Sequence, residues 1–186
     1  MYGMVNKALE DLVVTRFGDE KWQRIKEGAG VEVEVFLSHE SYPDEMTYNL
    51  VGAASGVLEL SMRDRLLAFG EHWVLHTAHK GYGSILEANG RDLSEFLINL
   101  PSLHTRVAMI FPDLKPPRFR CSEVTESSLL LHYHSHRDGL TDFVVGLLHG
   151  LAKKFETPAK IKMVESKSEG ADHDVFHVCW AAAGLI

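Results

Sequence analysis

The hydrophobic pattern of the chain changes its period at the segment FPDLKPPRF, residues 111–119. Its three prolines exclude a continuous helix, because proline lacks the backbone N–H that a helix interior needs. Before this segment apolar residues recur at helical spacing, and after it, over 118–125 and 128–137, they alternate with polar residues as in paired strands. The sequence therefore predicts the α+β class, with helices first and an antiparallel sheet with further helices second.

Capping residues and periodicity predict the individual elements. Ser61 stands three positions before Asp64, and Asp92 three positions before Glu95, as at helix N-termini. We expect the glycines of HKGYGS, residues 79–84, to end the helix that begins at residue 62, so that this helix covers 62–79. The predicted helices are 3–17, a short helix near Trp22 and Ile25, 44–58, 62–79, a helix after Asp92, a helix from Pro101 to Pro112, and 140–155. Two further strands are predicted at 159–165 and 174–181.

Composition narrows the classes of partner. The chain has 186 residues, with 19 basic and 26 acidic side chains, which fits one domain and lacks the basic surface of a nucleic-acid binder. The sequence contains no run of about 18 apolar residues, so no membrane span is predicted. The two cysteines, Cys121 and Cys179, form no CxxC pair and fit a reducing compartment. A cytoplasmic protein without nucleic-acid or membrane partners is expected.

The stretch LHYHSHR, residues 131–137, alternates two sets of side chains that a strand would direct to opposite faces. One set is Tyr133, Ser135 and Arg137, and the other is His132, His134 and His136. The first set offers hydrogen-bond donors without a carboxylate, which suits a ligand bearing carboxylates or phosphates. The alternative is an outer strand with a mixed polar face.

The histidine set has two interpretations of its own. Three imidazoles on one strand face could bind a metal ion, as in a histidine-metal enzyme, but no carboxylate or cysteine shares that face of the strand. The other interpretation is a solvated face. His72, His76 and His79 have ligand-like helical spacing without the HExxH pattern, and a polar helix face explains them.

His104 differs from the other histidines because apolar residues surround it on its predicted helix. Leu100, Leu103 and Val107 lie at helical spacing on the same surface. Such a residue is either a buried histidine whose nitrogens are satisfied or the axial ligand of an iron porphyrin in an apolar cavity.

Six segments together resemble the H-NOX family, the heme nitric oxide/oxygen binding module. They are MYGMVNKALEDLVV at the start, TYNLVGAAS at 47–55, LHTRV at 103–107, FPDLKPPRFRC at 111–121, LHYHSHRDGL at 131–140 and DHDVF at 172–176. The most specific is the row Tyr133, Ser135 and Arg137, in the right order after His104 and the Pro-Pro pair. The chain resembles the stand-alone bacterial type, related to the N-terminal heme domain of the soluble guanylate cyclase β subunit.

The resemblance implies one domain, residues 1–186, that holds heme b between a helical subdomain of about 1–60 and an αβ subdomain of about 61–186. His104 would be the iron ligand, Tyr133, Ser135 and Arg137 would bind the heme propionates, and Pro117 would distort the porphyrin. The implied lining of the heme and gas pocket is Met4, Val5, Phe69, Trp73, Phe143 and Leu147.

The implied function is a sensor rather than an enzyme. Family members that hold oxygen stably have a tyrosine at the position of Phe143, so the chain is expected to bind nitric oxide and carbon monoxide but not oxygen. Nitric oxide would weaken the bond from iron to His104, and the signal would pass to a separate histidine kinase or diguanylate cyclase. A simple heme carrier is the alternative. The cysteine-bearing zinc site of some bacterial relatives is not expected, because MVESKSEGADHD, residues 163–174, has no cysteine.

Overall fold

The computed structural model describes residues 1–181, except for the side chains of residues 79–82, and it begins with helices. The α-helices are α1 (Gly3–Phe17), α2 (Asp19–Ala29), α3 (Asp44–Leu58), α4 (Met62–His72), α5 (Ala78–Glu87), α6 (Leu93–Ile98), α7 (Leu100–Ile110) and α8 (Thr141–Lys154). A π-helical turn, Trp73–Thr77, joins α4 to α5. Among these described helices, none is both long and apolar enough to cross a bilayer.

The capping predictions are confirmed, whereas the predicted helix end is wrong. The Ser61 hydroxyl accepts from the backbone N–H of Asp64 at 3.1 Å, and the Asp92 carboxylate accepts from that of Glu95 at 2.8 Å. The helix does not end at 79, because α5 continues through both glycines of HKGYGS. Each of the two glycines inside the helix costs only about 1 kcal/mol, and the packing of Ile85 and Leu86 against the core offsets that cost.

Four antiparallel strands form one sheet in the order β1-β2-β4-β3. They are β1 (Arg118–Ser122), β2 (Ser128–His134), β3 (Ala159–Glu165) and β4 (Asp174–Trp180). The first two strands are shorter than predicted, and β2 ends at His134 instead of 137. The last residue pair between β1 and β2 is Arg118 with His134. The residue before Arg118 is Pro117, and because proline has no backbone N–H it cannot continue the hydrogen bonding of the two strands.

Buried apolar side chains form two clusters. The helical core comes from α1 to α4 and includes Leu12, Trp22 and Phe69. The sheet core comes from the inner face of the sheet with α6, α7 and α8. Trp73 packs against both cores, and Phe143, which belongs to α8, packs against the helical core. Trp73 and Phe143 therefore lie where the two cores meet, at the place where a site between them can form.

Helices α4 and α8 approach each other closely because glycines face the backbone of the other helix. A Cβ atom at Gly70 would overlap the carbonyl oxygen of Phe143, and one at Gly146 would overlap that of Leu67. Only glycine leaves room for such contacts. This close packing fixes Phe143 relative to α4.

Candidate functional site

A cavity of about 520 Å³ lies between the two cores. That volume is typical of sites for small molecules and cofactors, and apolar side chains from both cores form most of its wall. The cavity brings together Val5, Phe69, Trp73, His104, Pro117, Tyr133, Ser135, Arg137, Phe143 and Leu147. These ten positions include every residue that the family resemblance implied for the heme and gas pocket, except Met4.

Met4 is not among the residues that line the cavity, whereas its neighbour Val5 is. Successive residues of a helix point about 100° apart, so the two side chains leave α1 in different directions. Met1 and Tyr2 line the cavity in addition. No pattern in the sequence pointed to these two residues, because they precede the first turn of α1, where helical spacing does not apply.

His104 is half-buried on α7 with one ring nitrogen fixed. Its Nδ1 lies 3.0 Å from the carbonyl oxygen of Leu100, one turn earlier. A carbonyl only accepts, so Nδ1 carries the proton and Nε2 keeps its lone pair. Burial lowers the pKa of His104, against a smaller opposite effect of the Leu100 carbonyl, and this favours the neutral ring. The ring packs against Phe119 with centroids 5.3 Å apart.

Tyr133, Ser135 and Arg137 all line the cavity, although only Tyr133 belongs to a strand. Burial raises the pKa of Tyr133, so its hydroxyl keeps the proton. Ser135 Oγ accepts from the backbone N–H of Arg137 at 3.0 Å, and a hydrogen bond between the Ser135 and Tyr133 side chains opposes the effect of burial on the pKa of Tyr133. The turn after His134 thus brings the three donors to one wall without the strand geometry that the sequence predicted.

Arg137 has a carboxylate partner that sequence reasoning missed. Its Nε donates to Asp44 at 2.7 Å, and its guanidinium also donates to the carbonyl oxygen of Lys115 at 2.9 Å. Burial raises the pKa of Asp44, but the hydrogen bonds from Arg137 and from the N-terminal ammonium lower it by more. The net effect is a pKa of about 2. Asp44 reads in the sequence as an ordinary acidic residue at a helix start, so its role could not be inferred there.

Three aromatic residues form a second part of the wall. The ring centroids of Phe69 and Phe143 are 5.1 Å apart, and those of Phe69 and Trp73 are 6.3 Å apart. Phenylalanine cannot donate a hydrogen bond, whereas the Trp73 indole can. Tyr48 also lines the cavity, but its hydroxyl donates to the carbonyl of Asp138, next to Arg137, at 3.5 Å.

The other histidines do not line the cavity within the described part of the chain. His132 and His134 lie on the outer face of the sheet, and His136 is exposed beyond the end of β2. His72 is buried and its Nε2 is 2.9 Å from a carboxylate oxygen of Asp11, which explains this residue structurally. The side chain of His79 lies outside the described residues.

The donor set of the cavity fits a heme. His104 presents one unprotonated imidazole nitrogen, which is the usual axial ligand of heme iron. Arg137 supplies a cation for anionic propionates, with a tyrosine and a serine hydroxyl beside it. Apolar and aromatic side chains supply the remaining wall.

The model of the Haem-NO-binding family matches residues 2–163 of the chain. The chain belongs to the H-NOX family. The resemblance seen in the sequence is thereby confirmed, and so is the mixed fold of helices with a four-stranded antiparallel sheet. H-NOX domains are heme-binding gas sensors and not catalytic domains.

Soluble guanylate cyclases of Caenorhabditis elegans are similar to this H-NOX chain. It is 32% identical to gcy-37 over 96% of its own length and 31% identical to gcy-35 over 92%. The chain spans about a quarter of these relatives, with 26% of each covered. The similarity therefore concerns one domain of those proteins and does not extend to their full length.

Solved H-NOX structures have the same fold. An Fe(II) unliganded H-NOX protein from K. algicida superposes with a TM-score of 0.85 at 27% identity, and each chain is covered completely, at 100%. An H-NOX protein from S. oneidensis in the Fe(II)NO state gives a TM-score of 0.88 at 22% identity, over 97% of this chain and 99% of that one. At 22% identity the likeness shows the fold alone.

Proposed function

We propose that the chain binds heme b through His104 and senses nitric oxide. The observation that carries this proposal is the hydrogen bond from His104 Nδ1 to the Leu100 carbonyl, because it leaves Nε2 unprotonated on a residue of the cavity wall. A ferrous heme, when bound, supplies the iron position at which nitric oxide and carbon monoxide bind. The protein supplies the axial nitrogen, its orientation and a dry pocket.

The propionate site in this proposal consists of Tyr133, Ser135 and Arg137. The guanidinium has five N–H donors, of which two are used by Asp44 and the Lys115 carbonyl, so three remain for an anion. The Ser135 oxygen accepts from the Arg137 backbone, so the hydroxyl proton can be donated either to Tyr133 or to a propionate. Pro117 is a rigid wall residue that would press on the porphyrin plane.

The proposed gas pocket lacks a donor at Phe143. Val5, Phe69 and Leu147 are likewise apolar, so they exclude water but do not hydrogen-bond a gas molecule. Bound oxygen needs such a donor far more than nitric oxide does, which favours nitric oxide and carbon monoxide over oxygen. Trp73 has the one indole N–H among these pocket positions, and the oxygen measurement below tests its contribution.

We further propose that residues 1–186 act as one heme domain of two subdomains in the cytoplasm. The two cores support this division, and the close packing of α4 on α8 supports a boundary near residue 60, with α4 in the αβ subdomain. Trp73, which packs against both cores, and Phe143, which extends from α8 to the helical core, are suited to transmit a change at the heme from one subdomain to the other. A separate effector, a histidine kinase or a diguanylate cyclase, would receive it.

The absorption spectrum of the purified ferrous protein tests the proposal. We expect a Soret band that changes with nitric oxide and with carbon monoxide and stays unchanged in air-saturated buffer on the time scale of mixing. A stable oxygen spectrum would contradict the selectivity, and a protein that takes up no heme would contradict the function. The activity of a candidate effector distinguishes a sensor from a simple heme carrier. If the chain is only a carrier, nitric oxide leaves that activity unchanged.

A further inference from the structure

A cluster of imidazoles and one carboxylate lies on the outer face of the sheet, away from the cavity. His132 and His134 belong to β2, and Asp172 and His173 precede β4. The rings of His134 and His173 stack with centroids 3.9 Å apart. A carboxylate oxygen of Asp172 is 3.2 Å from Nδ1 of His173 and 4.0 Å from Nδ1 of His134. The carboxylate missing from the strand itself is therefore supplied by another segment.

We propose that His134, Asp172 and His173 bind a divalent transition-metal ion, with Zn²⁺ as the ion to test. One ligand atom from each of the three residues lies within 4.8 Å of the others. Imidazole and carboxylate ligands together suit zinc, copper or nickel, whereas Mg²⁺ and Ca²⁺ prefer oxygen ligands alone. Three protein ligands leave a fourth position for water.

Two of the three separations between ligand atoms are close to those that zinc requires, and the third, between His134 and His173, is at most 4.8 Å. Tetrahedral bonds of about 2.1 Å separate neighbouring ligand atoms by about 3.4 Å. The separation between Asp172 and His173 is already 3.2 Å, and that between Asp172 and His134 is 4.0 Å. The side chain of Asp172 is 90% exposed, so a rotation can close the longer gap without moving a strand.

His132 and Ser122 support the cluster through a chain of hydrogen bonds. Nε2 of His173 is 2.8 Å from Nδ1 of His132, and Nε2 of His132 is 2.7 Å from the hydroxyl of Ser122. Donors and acceptors in this series of hydrogen bonds can all exchange roles, depending on the tautomers of the two histidines. Without metal, His173 Nδ1–H donates to Asp172; with metal, Nδ1 is the ligand and Nε2–H donates to His132. Both histidines then change tautomer, and such outer hydrogen bonds strengthen metal ligands.

Two arginines act against a bound cation. Arg118 and Arg120 of β1 pair in register with His134 and His132, which places them on the same outer face. Both are exposed, so their side chains can extend into water. Their charges lower the affinity of the site without blocking it, and removal of one should tighten metal binding.

The site is separate from the heme cavity. Tyr133 lines the cavity, and its strand neighbours His132 and His134 point to the opposite side of the sheet. The ligands also include no cysteine. Zinc content can therefore be measured independently of heme content, and a failure of the heme proposal would leave this one intact.

Equilibrium dialysis of the purified chain against Zn²⁺, followed by elemental analysis, tests the proposal. We expect one zinc per chain, a loss of affinity of about 100-fold in His134→Ala and His173→Ala, and of about 10-fold in His132→Ala. Asp172→Asn, at an exposed position that folding does not need, should also weaken binding about 10-fold. Arg120→Gln should tighten it severalfold.

His136→Ala is the matched control, because His136 is two positions from His134 yet outside the cluster. Its zinc affinity should equal that of the unmodified chain. Absence of zinc binding by the unmodified chain would overturn the proposal. So would a loss in His136→Ala as large as that in His173→Ala, or an unchanged affinity in Asp172→Asn together with His173→Ala. An unchanged circular dichroism spectrum establishes that each variant is folded.

Discussion

Arg137 Nε donates a hydrogen bond of 2.7 Å to the carboxylate of Asp44, 93 residues earlier in the chain. The same carboxylate lies 2.6 Å from the N-terminal ammonium of Met1. Asp44 begins α3, which belongs to the helical core, whereas Arg137 follows β2 of the sheet core. The carboxylate thus ties both the chain start and the helical core to the proposed propionate site.

We expect Asp44→Asn to lower the free energy of unfolding by about 1–2 kcal/mol, because it leaves Arg137, only 15% exposed, without an ionic partner. Urea denaturation followed by circular dichroism measures the change. The control is Lys153→Gln, which breaks an exposed pair with Glu71 and should change stability by less than about 0.5 kcal/mol. Equal effects of the two substitutions would contradict the special role of Asp44.

Acid should remove the contribution of Asp44 in a defined range of pH. The pKa of this carboxyl is lowered from 3.8 to about 2 by folding, so its stabilisation is present above pH 4 and is lost as the pH falls through 2. Because the side chain is 33% exposed, solvent screening limits the effect to about 1 kcal/mol. Unfolding measured between pH 5 and 2 should show a smaller loss of stability in Asp44→Asn than in the unmodified chain.

Local patterns predicted the elements well because they depend on spacing and capping alone. The alternation of β2 correctly separated Tyr133 from the histidines beside it. What the pattern could not predict were contacts between distant segments, such as Asp44 with Arg137 and Asp172 with the strand histidines. The end of β2 at His134 was also missed, since it depends on where the partner strand begins after Pro117.

His104→Gly should abolish stable heme binding in the ferrous protein, because no other imidazole lines the described part of the cavity. Glycine also weakens α7 by about 1 kcal/mol. Thr105→Gly carries the same helix cost at the exposed neighbouring position and should keep its heme. Heme content per chain measures both, and free imidazole should restore heme to His104→Gly. Equal heme loss in the two variants would assign the effect to the helix and not to the ligand.

Phe143→Tyr should introduce the hydrogen-bond donor that the pocket lacks. The ring of Phe143 lines the cavity 5.1 Å from that of Phe69, and a hydroxyl added to it can reach a ligand bound within the pocket. We expect the ferrous variant to give an oxygen spectrum in air, with dissociation at least about tenfold slower than in the unmodified chain. Phe143→Leu, which changes the shape without adding a donor, should give none. An oxygen complex in Phe143→Leu or in the unmodified chain would instead implicate Trp73.

Gly70→Ala should destabilise the fold because α4 and α8 leave no space for a Cβ there. The added atom would meet the carbonyl oxygen of Phe143 and the backbone of α8, so the two helices must separate, at a cost of about 2–3 kcal/mol. Gly52→Ala on α3 is the matched control, since nothing lies within 4 Å of its Cβ position. That substitution should instead stabilise the chain by about 0.5–1 kcal/mol through helix propensity. Denaturation midpoints that shift in opposite directions would establish that the contact between the helices, and not helix propensity, requires glycine at position 70.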